Sequence, residues 1–309
     1  MIPQDKLESI YNKVRHRSAV CRLDEIDQDQ ETTMWKPLSS SVLAITIALF
    51  AHAEAWAISN GVPDGSGHPA VGALYVDFDG TGTITGDELH CSGAYVGRTK
   101  DNGYDAFLTA GHCVTDAAES GITQMYVSFD TLAFDPDGPT GIIPSVAFFF
   151  DPNFGHDSGN WYDFGIVLLP AGSVVRIQPV ELPEAGFLDA YRHGGEIKNL
   201  EVESVGYGVV PIFNQPHGPQ VTFDGIRRVV RTNIKGLTKS WVLYNENYVA
   251  TGGGGTCYGD SGSPQYIAGT HKVISITSQG DPLCRATESN TRLDTSYARQ
   301  FYGQFIDLP

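Results

Sequence analysis

The sequence predicts an all-β fold, and three observations support this class. The apolar runs are short and are separated by Gly, Pro, Asn and Asp, which is typical of strands joined by turns. The 309 residues include 35 Gly and 17 Pro, and 11% of them are aromatic. Hydrophobic residues make up 41% of the chain, which is enough to bury a core and argues against a disordered or collagen-like chain. A long helical bundle is a poor fit.

The overall charge excludes one class of partner. The formal net charge is -16, so the chain should repel phosphate backbones and anionic lipid surfaces. We therefore expect no nucleic-acid partner. The acidity does not indicate which substrate is used.

A secretory signal peptide is predicted at residues 34–57. Lys36 supplies a basic start, residues 42–51 form a ten-residue apolar run, and Ala55 and Ala57 flank a small-x-small cleavage site. The alternative is a membrane anchor, but ten apolar residues are too few to cross a hydrocarbon core of about 30 Å. We expect a chain that is secreted to the extracellular space or the periplasm, with no membrane contact after cleavage.

The other chain boundaries and the number of cysteines in the mature protein follow from this predicted signal peptide. Residues 1–33 are rich in charge and Gln, show no apolar periodicity and are left unassigned, with Met34 as an alternative start. Residues 58–309 then form the mature domain. Cys21 would be removed with the signal, which leaves four cysteines: Cys91, Cys113, Cys257 and Cys284. An even number in an oxidising compartment indicates two disulfides, although three pairings are open. Zinc is the weaker interpretation, because there is no Cys-x-x-Cys pair.

Three residues have the chemistry of a nucleophilic triad. His112 follows an apolar strand end, Asp163 opens an apolar run, and Ser261 lies among small residues in a Gly-Asp-Ser-Gly stretch. A buried Asp needs a hydrogen-bond partner, and a His held by that Asp can activate a Ser hydroxyl. The chain order His, Asp, Ser differs from the subtilisin and α/β-hydrolase orders.

With these motifs the sequence resembles the chymotrypsin/trypsin-like serine peptidase family over residues 58–309. The matching pieces are Ile58-Ser59-Asn60-Gly61, His68-Pro69, Cys91-Ser92-Gly93, Thr-Ala-Gly-His-Cys at 109–113, Asp163 with its strand, Gly-Asp-Ser-Gly at 259–262, and Ser278-Gln279-Gly280 with Cys284. The resemblance implies two antiparallel six-stranded β-barrels with the site between them and a C-terminal helix. It also implies a secreted serine endopeptidase that hydrolyses peptide bonds through an acyl-enzyme.

The resemblance implies a role for each catalytic residue. His112 would be the general base and acid, Asp163 would orient its ring, and Ser261 would form the acyl-enzyme. The backbone N–H groups of Gly259 and Ser261 would form the oxyanion hole. The implied disulfides join Cys91 to Cys113 and Cys257 to Cys284.

The family resemblance also predicts how the enzyme is activated. Cleavage after Ala57 would leave Ile58 as a free N-terminus, whose amine would pair with Asp260 and order the oxyanion hole. Signal peptidase itself would then produce the mature enzyme. The alternative is that Ile58 is an ordinary first-strand residue and Asp260 is held by another donor.

The primary specificity pocket is predicted from positions around the nucleophile, namely Gly255, Thr256, Ser278, Gln279 and Gly280. Gly255, six residues before Ser261, carries no carboxylate, so cleavage after Lys or Arg is disfavoured. We expect an apolar residue on the N-terminal side of the scissile bond.

An acidic loop at residues 77–88 resembles a calcium-binding EF-hand loop in its spacing. Its candidate ligands are Asp77, Asp79, Thr81, Thr83 and Glu88. The flanking residues favour strands over helices, so a Gly/Thr/Asp hairpin is the preferred interpretation. We expect no other cofactor.

Two further expectations complete this interpretation. Leu293, Tyr297, Phe301 and Phe305 recur every fourth residue and predict a C-terminal helix packed on the second barrel. The protein is expected to be a monomer that takes polypeptide substrates, with a protein inhibitor as a candidate partner. The alternatives are a catalytically silent binding protein on the same fold and a calcium-dependent structural or adhesion module.

Overall fold

The computed structural model describes residues 58–134, 138–155, 159–192, 195–212 and 220–309. The predicted signal peptide at 34–57 and the extension at 1–33 lie outside the described residues. Within the described ranges, no helix has both the length and the apolar character needed to cross a membrane.

The first half of the described chain forms one antiparallel sheet. After a two-residue strand, β1 (Val62–Pro63), that belongs elsewhere, the strands of this sheet are β2 (Val71–Tyr75), β3 (Leu89–Arg98), β4 (Tyr104–Thr109), β5 (Tyr126–Ser128), β6 (Ile143–Pro144), β7 (Ala147–Phe150) and β8 (Gly165–Pro170). Their spatial order is β6-β5-β2-β3-β4-β8-β7. Among the described residues the end strands β6 and β7 do not pair, so this half is a half-barrel of seven strands.

The second half closes into a six-stranded barrel. Its strands are β9 (Glu201–Gly206), β12 (Arg228–Leu237), β13 (Trp241–Asn245), β14 (Pro264–Ile267), β15 (Val273–Gly280) and β16 (Thr287–Arg292). The sheet order is β12-β13-β16-β15-β14-β9, and β9 pairs again with β12, which closes the ring. Strand β1 adds to β12, while β10 (Val210–Ile212) and β11 (Gln220–Thr222) form a separate hairpin.

The prediction of an all-β fold with two antiparallel halves is confirmed, although only one half closes into a barrel among the described residues. The closed barrel matches the predicted six strands, but the first sheet has seven strands and two free ends. Its β5 and β6 have only three and two residues. Strands this short offer too few ladder hydrogen bonds to close a ring.

Short helices connect the strands. The α-helices are α1 (Gly111–Glu119), α2 (Tyr248–Thr251) and α3 (Ser296–Tyr302), and one-turn 3-10 helices span Gly86–Glu88, Phe187–Tyr191 and Glu196–Asn199. The predicted C-terminal helix is therefore present as α3.

This helix packs against both halves. Tyr297 donates to the Lys239 carbonyl between β12 and β13 at 3.2 Å, so the predicted contact with the second barrel is present. Phe301 also contacts the first half, where its ring centroid lies 6.3 Å from that of Phe164. The periodic apolar face was correctly identified, but periodicity alone does not determine which surface covers that face.

One continuous apolar core joins the two halves. Tyr95 and Phe164 of the first half and Tyr207 and Tyr266 of the second belong to the same buried cluster. The segments that follow β4, precede β8 and precede β14 carry His112, Asp163 and Ser261, so the core positions these residues on a rigid base.

Candidate active site

His112 and Asp163 are held together by strand pairing. Strand β4 ends at Thr109, which pairs with Gly165 at the start of β8, so the residues just beyond each strand end are neighbours. The Nδ1 atom of His112 lies 2.9 Å from Asp163 Oδ2, and its backbone N–H donates to Asp163 Oδ1 at 2.7 Å. Gly111 permits this approach, because a Cβ there would lie 2.8 Å from the backbone nitrogen of Phe164.

The electrostatic environment of this pair favours a protonated, positively charged His112 and an ionised Asp163. Burial lowers the pKa of His112, but the charge of Asp163 and the hydrogen bond outweigh it, so the pKa of His112 is raised above 6.5. Burial raises the pKa of Asp163, but the charge of His112 and the hydrogen bonds from His112 and Ser278 outweigh it, so this pKa is lowered below 3.8. A negative carboxylate therefore faces the His112 ring at neutral pH.

Ser278 contributes more than sequence analysis assigned to it. We predicted it as a wall of the pocket, and its hydroxyl also donates to Asp163 Oδ2 at 2.5 Å. The contact joins the second barrel to the His112 and Asp163 pair of the first half. No motif in the sequence indicates it, because the two residues are 115 positions apart.

The Ser261 loop lies beside the start of α1, the helix that carries His112. The backbone N–H of Ser92 donates to the Ser261 carbonyl at 2.9 Å, and a Cβ on Gly262 would lie 2.2 Å from Thr109 Oγ1. The nucleophile loop is thus packed tightly against the end of β4. Among the described residues the Ser261 hydroxyl makes no hydrogen bond to His112, and such bonds often tighten only when substrate is bound.

The loop around Gly259 presents two free backbone donors. Within the described ranges, the N–H groups of Gly259 and Ser261 have no hydrogen-bond acceptor, whereas the Gly259 carbonyl accepts from Ser92 Oγ at 2.9 Å. Gly259 has φ +90°, which is unfavourable for residues with a Cβ. Glycine at this position therefore permits the backbone conformation of this loop.

Asp260 is fully buried and has only backbone partners in the described part of the chain. The N–H groups of Cys257 and Gly208 donate to its carboxylate at 2.9 Å and 2.8 Å. Burial raises the pKa of Asp260 to about 7, and these two hydrogen bonds lower it only partly. A carboxylate in this position would gain from a cation.

Ile58, the first described residue, lies next to Ser59, which is bound to the segment before Asp260. Its side chain is fully buried, and the next residue, Ser59, is bound to Gly255 by a backbone hydrogen bond of 2.9 Å. The Ser59 hydroxyl accepts from the Gly255 N–H at 2.9 Å. The first described residues are thus attached to the segment that leads to Asp260 and Ser261.

A pocket of about 230 Å³ opens beside Ser261. The predicted residues Thr256, Ser278, Gln279 and Gly280 line it. Gly255 is absent from this lining, because the side chain of Glu246 covers it.

Sequence analysis missed the acidic residues of this pocket. Glu246 directly follows β13 and Asp281 directly follows β15, and both line the pocket, while Glu288 on β16 lies buried behind them. Alternation could have indicated Glu246, because Val242 and Tyr244 of β13 face the interior and Glu246 continues that period of two.

Both disulfides are formed in the structure. Cys91 is bonded to Cys113, which ties β3 to α1 next to His112. Cys257 is bonded to Cys284, which ties the nucleophile loop to the far side of the pocket.

The acidic loop at residues 77–88 is ordered by its own hydrogen bonds. Asp77 accepts from the N–H groups of Gly80, Thr81 and Gly82 at 2.7–3.1 Å, and Glu88 Oε2 accepts from the Thr85 N–H at 2.7 Å. One carboxylate oxygen from each of Asp77, Asp79 and Glu88 lies within 4.8 Å of the others. These three residues could hold a cation, while Thr81 and Thr83 serve the turn through a bond between them.

The closed barrel, the half-barrel and the C-terminal helix together form a chymotrypsin-like fold. The family model described as Trypsin matches residues 78–298, which is well over half of the chain. The chain therefore belongs to the Trypsin family, whose members are generally serine endopeptidases.

Solved structures agree with this fold. HL collagenase is 17% identical, with a TM-score of 0.58, and the match covers 80% of this chain and 98% of that one. Human heparin binding protein is 14% identical, with a TM-score of 0.54 and coverages of 80% and 95%. The VesB protease of Vibrio cholerae is 15% identical, with a TM-score of 0.53 and coverages of 80% and 67%. No curated protein matches the sequence significantly.

Proposed function

We propose that this chain is a secreted serine endopeptidase that hydrolyses peptide bonds through an acyl-enzyme on Ser261. The observation that carries the proposal is the paired His112 and Asp163 beside a serine loop with two unused backbone donors. These are the components that acyl transfer to a serine requires. Membership of the Trypsin family supports the same reaction class.

Each residue has a defined task in this reaction. His112 Nε2 takes the proton of the Ser261 hydroxyl as its oxygen attacks the scissile carbonyl, and the same proton then goes to the leaving amine. The N–H groups of Gly259 and Ser261 donate to the oxyanion, where each such donor typically lowers the barrier by about 3 kcal/mol. Water then attacks the acyl-enzyme and gives a proton to His112 Nε2, which passes it to the Ser261 oxygen as the acyl bond breaks and the acid product leaves.

Asp163 acts on His112 and not on the substrate. Its bond to Nδ1 holds the proton on that nitrogen, so Nε2 is free to accept the Ser261 proton. Its negative charge also stabilises the imidazolium that forms, which is consistent with the raised pKa of His112. Ser278 and the His112 backbone N–H hold the carboxylate in place.

The environment of Asp260 supports activation by a new N-terminus. Cleavage after Ala57 would create an ammonium group on Ile58, and Ser59 is already bound to the segment that leads to Asp260. The two backbone donors leave the buried carboxylate with a raised pKa, which a cation would lower. We propose that this ion pair orders the Gly259 loop, and that signal peptidase completes the enzyme.

The proposed location and partners follow from the same features. Disulfides persist in oxidising compartments, which supports secretion to the extracellular space or the periplasm. The proposed substrate is a polypeptide, and the proposed state is a monomer. A protein inhibitor would act by occupying the substrate cleft.

Intact mass before and after treatment with a fluorophosphonate tests the reaction. We expect one adduct on the secreted protein, no adduct on Ser261→Ala, and an unchanged adduct on Ser120→Ala, which alters an exposed serine at the end of α1. The same spectrum reports the N-terminal residue. An unlabelled protein that begins at Ile58 would refute the peptidase proposal and favour a catalytically silent binding protein.

A further inference from the structure

Carboxyl groups surround the inner end of the pocket beside Ser261. Glu246 and Asp281 line it, and Glu288 lies fully buried behind them. Glu246 occupies the space that a side chain at position 255 would need, because a Cβ on Gly255 would lie 2.4 Å from Glu246 Cγ. The acid that is missing from position 255 is thus supplied by the neighbouring strand.

The donors around this cluster are already used by two of its members. Glu288 Oε2 accepts from the backbone N–H and the hydroxyl of Thr256, at 2.9 Å and 2.5 Å, and Oε1 accepts from Asn290 Nδ2 at 3.0 Å. Asp281 accepts from the backbone N–H groups that follow it in the chain, including that of Ala286 at 2.5 Å. Both side chains are therefore satisfied.

Glu246 shares hydrogen bonds with Asp281 and Glu288, but one of its two oxygens is left without a partner among the described residues. Only 1% of its surface is exposed, and its Oε2 is buried without a hydrogen-bond partner in the described part of the chain. Among the described residues that line the pocket there is no Lys, Arg or His. A buried carboxyl oxygen without a partner destabilises the protein, so a ligand that donates a hydrogen bond to this oxygen should bind favourably.

We propose that Glu246 determines the specificity of this pocket, and that the pocket accepts the cationic side chain of a Lys or Arg residue N-terminal to the scissile bond. This inference rests on the proposed peptidase function. A cationic head donates hydrogen bonds to Oε2 and opposes the negative charge of the cluster. An apolar side chain would leave Oε2 without a hydrogen-bond donor, and an acidic one would add a further negative charge.

The cluster also couples binding to a proton. Burial and the charge of Glu288 raise the pKa of Glu246 to about 11, so Glu246 is protonated in the empty pocket at neutral pH. The titratable groups that face it are Glu288 and Asp281, with Asp260 beyond Glu288. A bound cation favours the ionised form of Glu246 and releases its proton. The preference for a cation over a neutral group should therefore increase with pH.

Binding of benzamidinium and of neutral benzamide, two probes of the same shape, tests the inference without catalysis. Titration calorimetry on the processed full chain carrying Ser261→Ala should give a preference for benzamidinium of about tenfold or more at pH 8. In the Glu246→Gln background the preference should fall to near unity, and Glu246→Asp should restore part of it. Glu184→Gln alters an exposed acid that pairs with Lys272, and it should leave the preference unchanged.

Equal binding of the two probes by the Ser261→Ala protein, or an unchanged preference after Glu246→Gln, would overturn the inference. Far-UV circular dichroism establishes that each variant is folded, and the increase in the preference between pH 6 and pH 9 decides the matter if Glu246→Gln does not fold. Fluorophosphonate labelling of the protein with Ser261 intact separates the two proposals. Labelling without a cation preference refutes only the pocket assignment, whereas a cation preference without labelling refutes only the peptidase function.

Discussion

Replacement of Glu246 by Gln should stabilise the protein at alkaline pH. In the folded state burial and the charge of Glu288 raise the pKa of this carboxyl from 4.5 to about 11. In the unfolded state Glu246 returns to its ordinary pKa and loses its proton above pH 4.5. The folded protein thus binds one more proton than the unfolded chain, and its stability must fall as the pH rises from 4.5 towards 11.

The size of the effect follows from this window. Ionisation of Glu246 stabilises the unfolded chain relative to the folded protein by about 1.36 kcal/mol for each pH unit above 4.5, a total of about 5 kcal/mol at pH 8. Gln does not titrate, so Glu246→Gln removes this penalty. Asp281 and Glu288 lose the carboxyl proton that they share with Glu246, which offsets part of the gain. We therefore expect a net stabilisation of about 2–5 kcal/mol at pH 8.

Thermal unfolding at several pH values checks this prediction. A gain of this size should raise the Tm by about 5 °C or more at pH 8, and the gain should vanish near pH 4.5. Ser261→Ala in both proteins prevents self-digestion during heating, and Glu184→Gln serves as the exposed control. A variant less stable than its parent at pH 8, or a difference independent of pH, would refute the assignment of a buried protonated Glu246. If both Glu246 predictions hold, cation recognition is retained at a cost in stability.

Three further outcomes are expected. Peptidase activity should fall in acid with a midpoint above pH 6.5, because the charge of Asp163 raises the pKa of His112. Asp163→Asn should lower that midpoint, and it should lower kcat by about 10⁴-fold. A chain that begins two residues before Ile58 should cleave peptides at least about 100-fold more slowly than one that begins at Ile58. The reason is that loss of one partner of a buried ion pair costs about 3–5 kcal/mol. Equal cleavage rates would exclude the pairing of the N-terminus with Asp260. Replacing both Cys91 and Cys113 by Ala should lower the free energy of unfolding by about 3 kcal/mol, since the disulfide closes a loop of 22 residues. Denaturant titration measures this loss, and an unchanged unfolding midpoint would contradict the prediction.

Much of the candidate site was predictable because it consists of short local motifs. Small residues next to Ser261 indicate a tight turn, and Gly259 and Gly262 have the positive φ angles of such a turn, while Gly111 next to His112 begins α1. The apolar run after Asp163 predicts a buried strand, and β8 is that strand. Local sequence determines these features because each depends on the conformation of a few consecutive residues.

The chemistry of the pocket was not predictable in the same way. Glycine at position 255 suggested an apolar pocket, since no carboxylate is attached there. The structure places Glu246 in that space, because Glu246 continues the inward alternation of β13 and its side chain lies against Gly255. Which side chain fills a gap depends on how the segments pack, and a motif around Ser261 contains no information about that packing.

The sequence by itself determined the all-β class, the chymotrypsin-like arrangement, the cysteines and the three candidate catalytic residues, because turn chemistry, strand periodicity and motif order are local properties. Only the tertiary structure decided that the first half is an open half-barrel, that α3 covers Phe164 of the first half, that Ser278 supports Asp163, and that Glu246 reaches the pocket. These features arise from contacts between segments far apart in the chain. Strand register and packing set such contacts, and no single stretch of sequence encodes them.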